Sequence, residues 1–258
     1  MTVREFHEHL STLYPKTLSE PWDNDGIMVS SDPDAAVKRV LVALDATSRV
    51  IGFAAENGFD CVLTHHPMLF RGVKAAVPDT PGGRRILMAA AAGVSVISLH
   101  TRLDAGEGGV NDCLLRALGF EVRGGFGVSE ASDGHLLGRW TETAPMTGES
   151  FAKLVKQALG CDAVRVTGDP AKLIRRIAVC GGDGKDYIPE ALAGGFDAYL
   201  TGDAGYNMAE DAAEDGLFTV EAGHYHTEAP VLPRLCELAR ILADAEVCLY
   251  DSSAYRIL

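Results

Sequence analysis

The sequence is short of positive charge: 23 Lys and Arg stand against 36 Asp and Glu among 258 residues, a formal charge of −13. A sequence-independent grip on nucleic acid needs clustered Lys and Arg to neutralise phosphates, so no nucleic-acid partner is expected. One local basic pocket for a phosphate stays open. The acidic balance otherwise reads as a self-repelling, soluble surface. Also absent is any CxxC pair. Cys61, Cys113, Cys161, Cys180, Cys236 and Cys248 lie singly, mostly inside apolar runs, and read as small buried hydrophobes rather than disulfides or thiolate ligands. No apolar run has the length of a membrane span; the longest, Ile86 to Leu99, is broken by Gly93 and falls short of the roughly 20 residues required. The first ten residues, MTVREFHEHL, mix acids with bases and lack the apolar stretch of a signal peptide. A cytoplasmic protein with no membrane partner is the expectation.

What is present is enough for a core. Hydrophobic residues make up 47% and charged residues 23%, an ordinary globular balance that excludes disorder. The length suits two domains of usual size or one large one. Thr2 and Glu5 form a capping box for a first helix that ends near Pro15. The run Val40 to Leu44 then predicts a buried strand, followed by a helix to about Asn57, a strand over Cys61–Thr64, a helix over Arg84–Ala92, a strand over Val94–Leu99 and a helix from about Val110 to Leu118. Strands alternating with helices in this way imply βαβ units and a parallel or mixed sheet.

The second half repeats the first. Gly58-Phe-Asp-Cys-Val-Leu-Thr64 matches Gly195-Phe-Asp-Ala-Tyr-Leu-Thr201, and Arg39-Val-Leu-Val matches Arg176-Ile-Ala-Val, both at an offset of 137 (195 minus 58, 176 minus 39). One short match arises readily by chance; two in one register point to internal duplication. The register then slips, since the Gly/Pro loop between Phe70 and Gly83 has no counterpart, and Gly93-Val-Ser-Val aligns roughly with Gly216-Leu-Phe-Thr-Val. His135 to Trp140 and Asp162 to Gly168 read as strands flanking a helix from about Glu149 to Leu159. The expected fold is therefore α/β, two similar domains near 1–130 and 131–258, each a mixed or parallel sheet flanked by helices, possibly intertwined. Such sheets bind ligands at the carboxyl ends of their strands, so a site fed by both copies would lie between the domains.

Five of the eight histidines fall in three motifs at predicted strand ends: Thr64-His65-His66-Pro67, His100-Thr101-Arg102-Leu103-Asp104, and Gly223-His224-Tyr225-His226-Thr227-Glu228. Imidazole and carboxylate without thiolate suit zinc, iron or manganese. Adjacent side chains on extended backbone point to opposite sides. One ion therefore takes both His65 and His66 only if Pro67 bends the chain sharply. Two ions bridged by a carboxylate fit more easily, with Asp104 and Glu228 as the bridging candidates. Each motif also has a plainer reading: a loop His-His pair, a turn at Asp104, a helix entry at His224–Glu228 with Thr227 as cap and Pro230 in its first turn. Their shared placement at strand ends favours the metal.

The ordered set of Trp22-Asp23-Asn24, Leu44-Asp45-Ala46-Thr47, the three motifs and Thr201-Gly202-Asp203 resembles the GTP cyclohydrolase 1 type 2 homologues, also described as NGG-interacting-factor-like proteins. The resemblance covers nearly the whole chain. It implies two intertwined α/β domains, a dinuclear metal site between them and a ring-shaped homohexamer. Its metal ligands carry over to His65, His66, Asp104, His224 and Glu228. Three positions depart from the family pattern: Arg102 where Asn is usual, Asn207 where His is common, and Asp25 for an apolar residue. Arg102 suggests either a preference for an anionic substrate or a solvated loop arginine. Longer members carry an inserted domain between the halves, and this chain looks like the short form.

The expected function is that of a metal-dependent hydrolase with two divalent transition-metal ions, acting on a small polar or nucleotide-like substrate. His100 is the candidate proton carrier, although it also suits a partner to a metal ligand. His226 reads as a surface neighbour and Asp203 as a hydrogen-bond partner. Cys180-Gly-Gly-Asp-Gly184 lacks both phosphate-loop patterns and reads as a turn that lets backbone approach the site. Opening the imidazole ring of GTP is what the family name implies; no residue here selects guanine. The alternative is a non-enzymatic protein that stores, delivers or senses metal, or acts as a scaffold.

Overall fold

The computed structural model describes the chain except residues 132, 133, 252, 254 and 256–258. Two compact units emerge. The first comprises Met1–Leu103 and Leu232–Ser252; the second comprises Asp104–Val231 and Ser253–Leu258.

The first unit starts with helix α1 (Val3–Leu13), capped by the Thr2–Glu5 box that its sequence predicts. It holds strands β1 (Gly26–Val29), β2 (Arg39–Ala43), β3 (Cys61–Thr64) and β4 (Ser95–Ser98), with helices α2 (Ser48–Glu56) and α3 (Pro81–Ala92) between them. Helix α4 (His100–Ala105) follows β4, and the division between the units falls within it. The second unit contains α5 (Val110–Ala117), β5 (Gly124–Val128), β6 (Leu136–Thr147), α6 (Gly148–Ala158), β7 (Arg165–Thr167), β8 (Leu173–Cys180), α7 (Ile188–Ala193), β9 (Ala198–Thr201), α8 (Tyr206–Glu214), β10 (Phe218–Glu221) and α9 (His224–Glu228). The chain then returns to the first unit through α10 (Leu232–Ala243) and β11 (Glu246–Leu249).

The first sheet has the order β1-β4-β3-β2-β11, with β1 antiparallel at one edge and the other four parallel. The second has the order β5-β6-β8-β9-β10-β7, its parallel centre β8-β9-β10 flanked by antiparallel strands. Central parallel strands are covered on both faces, so their sequences read as unbroken apolar runs. In β9, Ala198 and Leu200 enter one core cluster while Tyr199 enters the other.

The duplication holds at the level of hydrogen-bond register. Val40 pairs with Cys61 and Ala43 with Thr64 in the first sheet; Ile177 pairs with Ala198 and Cys180 with Thr201 in the second. Every one of these residues is displaced by the same 137 positions (177 minus 40, 198 minus 61). Local devices repeat with them. The Asp60 carboxylate accepts from the Lys38 and Arg39 amides, and that of Asp197 from the Arg175 and Arg176 amides. Arg39 lies 4.6 Å over the Phe59 ring and Arg176 4.8 Å over Phe196. The preceding Gly58 and Gly195 adopt φ of 68° and 65°, where a Cβ is strained. Four of the six thiols are buried and none is in a disulfide. Among the described residues no helix is long and apolar enough to cross a membrane.

Asp60→Ala and Asp197→Ala each strand two amides on a strand start, which costs about 1–3 kcal/mol. Chemical unfolding of the two variants should show losses of similar size. A large loss in one and none in the other would break the equivalence of the two clamps.

Candidate metal centre

In the first unit, β3 ends at Thr64 and delivers His65 and His66, while β4 beside it delivers His100. The His100 amide donates to the His65 carbonyl, and the His66 amide to that of Leu44 at the end of β2, so the strand ends stay tied. One ring nitrogen from each of His65, His66 and His100 falls within 4.8 Å of the others. His65 is fully buried and the other two are partly exposed.

Two of these rings are held by carboxylates. Asp45, just past β2, lies 2.9 Å from His66 Nδ1, and Asp23 lies 2.6 Å from His100 Nδ1. Asp23 also accepts from the Thr101 amide and hydroxyl. Burial alone would raise the Asp23 pKa, but the hydrogen bond and charge of His100 and the two Thr101 donors outweigh it and bring it to about 2. His100 pays for its position with φ of 28°, an uncommon conformation for a residue with a Cβ; such strain concentrates at functional sites. The sequence alone assigns Asp23 and Asp45 no role. Their only signal was placement in the Trp-Asp-Asn and Leu-Asp-Ala-Thr motifs.

In the second unit, His224 opens α9 directly after β10, and Glu228 closes it one turn later, with His224 Nε2 3.3 Å from Glu228 Oε1. Asp203, past the end of β9, lies 2.7 Å from His224 Nδ1, as its expected partner role requires. Gly182, in the Cys-Gly-Gly-Asp-Gly turn, approaches as closely as the sequence suggested. At its φ of 65°, a Cβ there would sit 2.2 Å from Glu228 Oε1 and 3.2 Å from His224 Nε2. Its amide donates to the Thr227 hydroxyl, so Thr227 anchors the turn rather than capping a later helix. Asp104 is half-buried on α4. Burial first, then the charges of Asp104 and Glu228, raise the pKa of Cys180 at the end of β8. His226 packs edge-on against Tyr225.

Arg102 corrects both of its expected readings. It is buried, and its guanidinium reaches the Ser11 hydroxyl at 3.1 Å, the Tyr14 carbonyl at 3.2 Å and Asp25 at 3.6 Å. Asp25 also takes Lys16 at 2.6 Å and the Ser19 hydroxyl. Two of the three departures from the family pattern, Arg102 and Asp25, are thus one buried ion pair beneath α1, and Arg102 is neither solvated nor turned toward a substrate.

The donor set fits a metal by its chemistry. Ligating imidazoles characteristically rest their second nitrogen on a carboxylate, which fixes tautomer and orientation, and His66, His100 and His224 all do so. A profile of the family Duf34/NIF3 (NGG1p interacting factor 3) matches residues 1–254. The chain belongs to this family. Among its relatives, a Clostridium perfringens protein named GTP cyclohydrolase 1 type 2 homolog is 34% identical over 96% of this chain and 94% of its own length. A Streptomyces coelicolor protein of the same name is 34% identical over 91% of this chain and 83% of its own. A Staphylococcus aureus crystal structure superposes with a TM-score of 0.89 at 26% identity, covering 100% of this chain and 99% of that one. A Bacillus cereus protein related to NIF3 shares the fold, with a TM-score of 0.86 at 23% identity over 100% of this chain and 99% of that one.

Gly182→Ala and Gly195→Ala both place a Cβ at φ of 65°, which costs about 1–2 kcal/mol. Only the first also collides with Glu228, so unfolding measurements should show Gly182→Ala as the more damaging; equal losses would remove the close approach from the argument. Asp23 carries a separate pH signature. Its folded pKa lies below the ordinary 3.8, so its stabilisation is present above that value and drains away as pH falls toward 2. Asp23→Asn should flatten that part of the acid-unfolding curve, and an unchanged curve would show the interaction with His100 to be absent in solution.

Proposed function

We propose that the chain is a metal-dependent hydrolase acting on a small polar substrate, with two divalent transition-metal ions (zinc, iron or manganese) held by His65, His66, Asp104, His224 and Glu228. The observation that carries this reading is the pairing of His66 with Asp45 and of His224 with Asp203, each imidazole braced at a strand end by the carboxylate of a neighbouring strand. Such ions supply Lewis acidity and a nucleophile at neutral pH. The negative oxygens of Asp104 and Glu228 offset the mutual repulsion of two cations, which a neutral imidazole cannot do. His100, held through Nδ1 by Asp23, keeps its other ring nitrogen for carrying a proton to or from the substrate. The name shared by the relatives supports a cyclic amidine or amide as substrate, and the same kinship supports a ring-shaped hexamer.

Protein purified without chelator should contain close to two transition-metal ions per chain. A content that stays at or below one with zinc, manganese or iron in excess counts against the dinuclear centre. Glu228→Gln, which keeps size and removes charge, should empty at least one position and abolish hydrolysis, while His226→Gln should leave metal content near normal. Retention of both ions by the Glu228 variant would move the bridging role to Asp104 alone. A screen of hydrolysable nucleotides and cyclic amides with metal-replete protein tests turnover. Full metal with no turnover on any of them would favour the storage or sensing alternative.

A further inference from the structure

Trp22 and Phe70 are large apolar side chains left 52% and 48% exposed, although covering either would be favourable by about 25 cal/mol per Å² of apolar surface. Neither is loose. Asp23, next to Trp22, is bound to His100 and Thr101, and the Asn24 amide donates to the Leu69 carbonyl beside Phe70. The chain thus pins both aromatic residues from their immediate neighbours and still presents them to solvent.

Their geometry is a corner. The Trp22 and Phe70 rings lie 5.9 Å apart at 67°. His100 stands 6.3 Å from Trp22 at 73° and 5.9 Å from Phe70 at 86°. Three mutually steep rings make three walls, and the third wall is itself 5.4 Å from His65 and 5.9 Å from His66. A flat ligand that stacks on one wall meets the edge of another, the arrangement aromatic quadrupoles favour. An organic cation is the poorer fit, because Arg71 follows Phe70 directly.

We propose that Trp22 and Phe70 form the substrate-recognition platform of this site, and that the substrate presents a planar, uncharged or anionic nitrogen heterocycle to it. The nearness of that ring to reacting groups rests on the hydrolase reading; the stacking itself does not. Stacking on such a platform is sequence- and substituent-tolerant, and truncating one aromatic wall weakens it by about tenfold or more.

The test is a fluorescence titration of the intact protein with inosine as planar probe and ribose, cyclohexanol and choline as controls. The chain has two tryptophans, so Trp22→Phe, which leaves Trp140, isolates the Trp22 contribution. Inosine should quench Trp22 saturably and the controls should not. Phe70→Ala and Phe70→Leu should each weaken inosine binding about tenfold with metal content unchanged, and chelator-treated wild type should still show quenching. Absent or non-saturable quenching overturns the platform, as does equal binding by the Phe70 variants. Equal quenching by cyclohexanol marks a merely greasy patch, and preferential quenching by choline marks a cation cage; either outcome overturns the proposal. A fall in molecular mass of the Phe70 variants by light scattering, with no inosine binding to wild type, reassigns the pair to contact between copies of the chain. Metal analysis of the same samples separates the two readings. Saturable quenching with at most one ion per chain leaves the platform and removes the dinuclear centre; two ions without quenching does the reverse.

Discussion

The candidate site depends above all on a carboxylate reaching an imidazole across the ends of adjacent parallel strands, as at His66 and His224. Neighbouring strands run about 4.8 Å apart, so side chains just past their carboxyl ends stand within reach of one another. Asp45 past β2 reaches His66 past β3, and Asp203 past β9 reaches His224 past β10. The same offset of one strand serves both units, although the two pairs occupy different strands of the repeat. A donor nitrogen fixed in this way presents its other nitrogen in one direction only. That orientation is what separates a ligand from a mobile surface histidine.

The glycines at the second site answer a related demand. Gly182 leaves room for Glu228, and Gly202 lets its own backbone come within bonding distance of the Gly182 carbonyl. With side chains at both positions, the turn after β8 would be pushed from the turn after β9. The carboxylate of Glu228 is almost fully buried at 4% exposure, and a charge so placed is tolerated only with strong partners. His224 Nε2, 3.3 Å from its Oε1, is one of them.

Much of this was legible beforehand, for identifiable reasons. The repeat was visible because Phe59/Phe196, Asp60/Asp197 and Arg39/Arg176 each do one local job, in cation–π contact or amide capture, and survive as identical letters. Buried parallel strands announce themselves as apolar runs. Strands β1, β5 and β11 lie at sheet edges; half-exposed and without a clear alternation, and in β5 broken by three glycines, they are not legible in the sequence. Nor is the bracing role of Asp23, 77 residues from the His100 it holds, since no local periodicity encodes a contact at that distance. Arg102 was misjudged for the same reason. Its partners Tyr14, just past α1, and Ser11, on it, are 88 and 91 residues away, and a motif neighbour of candidate ligands invites a functional reading that the fold does not support.

The Arg102–Asp25 pair has a consequence for how this lineage can have changed. Both side chains are almost wholly withdrawn from water. Breaking such a pair by removing one member costs about 3–5 kcal/mol, a large share of the roughly 5–15 kcal/mol that keeps a typical protein folded. Neither residue can therefore have entered long before the other unless Lys16, Ser19 or His7 was already there to receive it. The cluster therefore has to be exchanged as a block. Position 102 records the history of the helix packed over it, and it carries no memory of what the neighbouring histidines bind.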